Sequence, residues 1–145
     1  MNKYLKMRFR QQQRFKKLPA KFAFGKEQFE NMMKEWNLTT SKEDVAKVHM
    51  IVCGCYCLEK DTHLFEEYFE KVGKEFDNFM KNNKNLKEAL KYEFANHECG
   101  LTYNPQKALS ALFLTYTEVV NDKRLSRIFK EAWKEYLQEY EEQNH

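Results

Sequence analysis

Glu93 and His97 stand one helical turn apart and are the pair in this chain best spaced for proton or metal chemistry. On a helix, side chains at i and i+4 share a face, so a carboxylate and an imidazole there can exchange a proton or hold a cation together. Their setting is Tyr92-Glu-Phe-Ala-Asn-His-Glu-Cys99, which is not H-E-x-x-H. It lacks a second histidine at i+4 and an adjacent nucleophile. A lone pair of this kind near a helix end more often makes a structural hydrogen bond, with the imidazole complementing the helix dipole. The expectation is a functional or structural pair with no catalytic residue.

Cys53-x-Cys55-x-Cys57, with His49, His63, His97 and Cys99 elsewhere, supplies enough soft ligands for a tetrahedral zinc site. The spacing disfavours one. Structural zinc knuckles separate paired cysteines by two to four residues, whereas C-x-C thiols are expected on opposite sides of a strand or about 200° apart on a helix. Nor is C-x-C the C-x-x-C dithiol whose thiol pKa is lowered at a helix start. These cysteines are therefore expected to be reduced, small core or lining residues, with no metal and no cofactor. A Gly-rich phosphate loop, a G-x-S-x-G elbow and a kinase signature are all missing from the sequence. The chemistry-bearing residues point away from an enzyme and toward a binding protein.

The third feature is electrostatic. Residues 1–26 carry nine Lys or Arg and no acid, leaving 16 basic and 22 acidic residues, a net −6, for the rest of a chain whose total is +3. Lys3, Lys6, Arg8, Arg10, Arg14, Lys16 and Lys17 lie in the first seventeen residues, interleaved with Tyr4, Phe9 and Phe15. Such a segment can contact phosphates and stack on bases, or meet an acidic protein surface. It lacks the continuous apolar face of a membrane-surface helix. These seven residues are the candidate partner-binding set.

The elements that must position these groups read as helices. With 42% apolar and 15% aromatic residues but only four Gly and two Pro in 145, the chain has ample core material and few turn formers. The expected fold is all-α, one domain over 1–145 of about six or seven helices, with a short β element near 48–58 as the alternative there. Residues 1–17 form a basic helix or arm, and 139–145 a frayed tail. The triplet Phe22-Ala23-Phe24 should dock on the core, and Gly25 opens a helix bearing Phe29, Met32, Met33 and Trp36 at 0, +3, +4 and +7. Thr40 or Ser41 caps another.

Between Val48 and Leu58 the patterns compete. Val45, Val48 and Val52 keep helical spacing, while alternation around the cysteines suits a strand; the reading favours helix to about Val52, then irregular chain around Gly54. Asp61 or Thr62 starts a long helix ending near Asn82-Asn83, and the next, from Asn85, places Leu86, Leu90, Phe94 and His97 on one side with Gly100 as a left-handed C-cap. Asn104-Pro105 and Thr115 or Thr117 mark two short helices. From Asp122 the last helix shows the cleanest stripe: Leu125, Ile128, Phe129, Ala132, Trp133, Tyr136, Leu137 and Tyr140. No apolar run approaches the about 20 residues that span a bilayer, and the start lacks a signal-peptide pattern, so the expected location is the cytoplasm.

At Phe22-Ala-Phe-Gly-Lys-Glu-Gln-Phe29 and Ala95-Asn-His-Glu-Cys-Gly-Leu-Thr102 the sequence resembles a family of small proteins encoded by phages and mobile elements of gut and oral bacteria, over about Arg14 to Leu137. The resemblance also takes in Asp44–Val48. It implies a context in which accessory proteins occupy a surface of a host enzyme or defence complex. The expectation that follows is an anti-defence inhibitor, with a host protein or ribonucleoprotein such as a CRISPR nuclease as partner; a nucleic-acid-binding accessory protein is the rival.

Overall fold

The computed structural model describes residues 2–144. In chain order they form α1 (Lys3–Lys16), β1 (Lys21–Phe22), α2 (Lys26–Glu35), α3 (Lys42–Val45), β2 (Val48–Val52), β3 (Cys55–Leu58), a 3-10 turn (Glu59–Asp61), α4 (Thr62–Met80), α5 (Asn83–Asn96), α6 (Cys99–Thr102), α7 (Gln106–Ala111), α8 (Tyr116–Asn121) and α9 (Lys123–Gln143). The protein is mostly helical with one small sheet, as composition predicts. Its residues gather into two compact units, one comprising Arg8–Lys74 and the other the chain before Arg8 together with Glu75 onward.

In the Arg8–Lys74 unit the sheet runs β1-β3-β2, antiparallel throughout. β2 and β3 form a hairpin pairing Val48 with Leu58, His49 with Cys57 and Met50 with Tyr56, with a bulge between Met50 and Val52. This corrects the helical reading of 48–52. Gly54 sits at φ 79° in the turn, where a residue with a Cβ is strained and would also overlap the Phe24 ring. The helical spacing of the valines is incidental: β-branched residues on either side of such a turn pair as strands. Tyr56 packs edge-on against Phe29, and Met32, Met33 and Ala23 form the buried centre. Only Ala23 of the expected docking triplet is inside. Phe22 and Phe24 are 59% and 65% exposed, because side chains alternate along extended chain.

Two caps fix the chain between α2 and β2. After α2, Asn37 adopts φ 58°, the Leu38 N–H bonds to the Met33 carbonyl and the Asn37 N–H to that of Lys34, a Schellman closure. Ser41 then caps α3 by accepting from the Asp44 N–H, as the sequence predicts. Asp44 in turn accepts from both the backbone and the hydroxyl of Thr39.

The second unit is built on α5 against α9. Phe94 is fully buried, its ring 5.6 Å from Phe129, 4.9 Å from Trp133 and 5.6 Å from Tyr136. The α9 stripe read from sequence thus faces the core, and Leu86, Ala89, Leu90, Ile128 and Ala132 fill in around it. Tyr4 and Met7 are buried in the same cluster, and Tyr4 lies edge-on to Phe76. The helix persists through the expected frayed tail to Gln143; His145 lies outside the described residues.

The expected C-cap glycine does another job. Glu98, not Gly100, takes the left-handed conformation after α5, at φ 50°. Gly100 lies within α6, buried, where an added Cβ would come 2.7 Å from the Tyr140 ring. Its N–H donates to the Tyr136 hydroxyl at 2.8 Å. α6 has no side-chain cap of its own, so a phenol from α9 supplies one.

Candidate functional site

α1 is helical over Lys3–Lys16, so the basic segment is an ordered element. Tyr4, Met7 and Gln11, at spacings of 3 and 4, are its buried residues. That burial fixes where the charges point. Lys3, Lys6, Arg10, Arg14 and Lys17 recur at 0, +3, +7, +11 and +14, an arc of about 80° at 100° per residue, and all five are exposed. The stripe they form is roughly 21 Å long at 1.5 Å per residue. Lys17 is just beyond the helix, its N–H bonded to the Arg14 carbonyl. Arg8 is half-buried away from this line and Lys16 falls to its other side. Of seven candidate residues, five are brought together. Phe9 lies one turn from Lys6 on the open flank of the stripe, 51% exposed.

The lysines of α5 behave differently. Lys84, Lys87 and Lys91 share a face that lines, with Lys3, Glu88 and Tyr92, an open cavity of about 790 Å³. Lys87 pairs with Glu135 and Lys91 with Glu139 of α9. The hydrogen bond between Lys87 and Glu135 raises the ammonium pKa and lowers that of the carboxyl. Sequence reading weighed only the apolar side of α5 and missed this cavity; the signal was the 84, 87, 91 spacing.

Glu93 and His97 do meet, Oε2 to Nε2 at 3.4 Å, with Glu93 buried and His97 at the C-terminal end of α5. The thiol nearest in sequence, Cys99, is buried and its pKa is raised, first by burial and further by the charge of Glu93. A carboxylate that opposes thiolate formation is the wrong neighbour for a nucleophilic cysteine. Cys55 and Cys57 lie buried on one face of β3, not on opposite sides as expected, because residues two apart on a strand point the same way, and burial raises the pKa of both thiols. Cys53 is exposed at the hairpin turn. Among the described residues no three His, Cys, Asp or Glu side chains converge as a metal would require. No helix among them is long and apolar enough to cross a membrane.

Fold and surface together define a mostly helical protein that presents an ordered, basic, aromatic-flanked helix face. The chain belongs to DUF7659, described as a family of unknown function, which it matches over residues 3–135. No curated protein and no solved structure matches it.

Proposed function

We propose that this protein works by stoichiometric binding rather than turnover, with the exposed face of α1 as its docking surface. The observation that carries this is the sorting of Lys3, Lys6, Arg10, Arg14 and Lys17 into one stripe on an ordered helix whose neighbouring face is buried. A cation row of this density steers association with an acidic surface or a nucleic-acid-loaded complex. The resemblance to mobile-element proteins suggests the partner class: a host defence nuclease or ribonucleoprotein, with a CRISPR nuclease as the leading candidate and inhibition by occupancy as the mode of action.

The test is co-purification of the tagged full chain from a defence-bearing host, with absorbance of the eluate read for nucleic acid. A partner recovered at one-to-one stoichiometry and lost in a Lys6→Glu/Arg10→Glu/Lys17→Glu variant of unchanged helicity is the expected result. Full recovery of the partner by that variant removes α1 from the mechanism.

A further inference from the structure

We infer that the α1 stripe takes the phosphate backbone of a single-stranded nucleic acid, with Phe9 as a stacking platform for a base. This rests on the reading that α1 is the docking face and names what that face contacts. Residues three and four apart on a helix stand about 5–6 Å from one another, so the five stripe residues make a nearly continuous row of cations. The segment 1–26 contains no acid to repel phosphates. Nor does the first turn of α1 contain one.

Phe9 separates the nucleic acid from other anionic partners. A solvent-facing helix position beside a cation row ordinarily carries a polar side chain, yet here half of a phenyl ring stands in water. An exposed ring flanking a phosphate-binding row is the arrangement by which proteins hold unpaired bases without reading sequence. In a duplex the base faces are stacked on each other, so the platform discriminates for single strands. A carboxylate-rich protein surface would use the stripe and leave Phe9 idle.

The experiment is fluorescence anisotropy of the full chain with a labelled oligo(dT) about 16 nucleotides long, across about 50 to 200 mM salt, with a duplex of equal length as comparison. With Lys3, Lys6, Arg10 and Lys17 engaged, log K should fall against log salt with a slope of about −2.8, and with two of them left, in Arg10→Glu/Lys17→Glu, with a slope of about −1.4. Phe9→Ala should weaken binding roughly tenfold with the slope kept, and Phe9→Trp should restore it. Circular dichroism confirms that each variant is folded. Binding of the duplex as tight as the single strand, or indifference to Phe9→Ala, overturns the stacking assignment. Absence of oligonucleotide binding by the wild type overturns the whole inference, and the docking role of α1 then stands or falls separately on protein co-purification.

Discussion

Removing one oxygen from Tyr136 tests how the second unit is closed. The Tyr136 hydroxyl accepts the Gly100 N–H at 2.8 Å in a buried setting, and α6 has no side-chain cap. Tyr136→Phe keeps the ring against Phe94, Trp133 and Tyr140. What it leaves is a buried donor without a partner, which costs about 1–3 kcal/mol. For a chain of 145 residues, at roughly 2–4 °C per kcal/mol, a loss near 2 kcal/mol lowers Tm by about 4–8 °C. A second readout is alkaline pH. Burial pushes the Tyr136 hydroxyl above its ordinary value of 10.0, so the unfolded chain releases that proton first and the native state loses stability as pH rises past 10. Cys55, Cys57 and Cys99, raised from 9.0 mainly by burial, act in the same direction. The variant should therefore flatten the alkaline limb of a Tm-against-pH curve without abolishing it. A Tyr136→Phe protein that melts within about 1 °C of wild type, with an unchanged alkaline limb, refutes the capping argument.

Glycine has opposite effects at two neighbouring positions. Glu98→Gly should stabilise by about 1 kcal/mol in urea melts, by relieving a left-handed residue. Gly100→Ala should destabilise by about 1–3 kcal/mol, with part recovered when Tyr140→Ala removes the opposing ring. Gln11 is buried with its side-chain N–H₂ unpaired, so Gln11→Met should leave thermal stability unchanged or raise it, and a large loss would show that the amide has a partner. Hydrogen bonds from the Thr39 side chain first, then its backbone, hold the Asp44 carboxyl down to about 2, below the ordinary 3.8. The cap it forms is thus complete above 3.8 and lost as pH falls through about 2. An NMR titration should show that midpoint, and Thr39→Val should return it toward 3.8.

Periodicity was readable where one physical effect dominates. The α9 stripe follows from a helical repeat of apolar residues strong enough to leave no rival reading, and Asp122, accepting the Leu125 N–H, begins it as the sequence suggests. The hairpin was obscured because Val45, Val48 and Val52 fit a helix as well as a strand; the deciding residue is Gly54, through the backbone angle it alone tolerates in the turn. Gly100 misled for the same reason in reverse. Its role is to leave room for the Tyr140 ring, a contact some forty residues away in sequence that no local pattern encodes. The charges of α1 were visible as composition, but which of them align could be known only once Tyr4, Met7 and Gln11 fixed the inward face.

α1 carries six basic residues and no acid, whereas α5 carries three lysines and two glutamates. Lys87 and Lys91 face the acids of α9, so part of their field is offset within the unit, and surface pairs of this kind add only about 0–1 kcal/mol each to stability. The stripe on α1 has no acid in its own segment. The fold itself rests on buried aromatic and aliphatic clusters that salt does not weaken. Raising ionic strength should therefore detach whatever α1 holds while the melting curve stays in place, a separation that a partner bound through the apolar surfaces would not show.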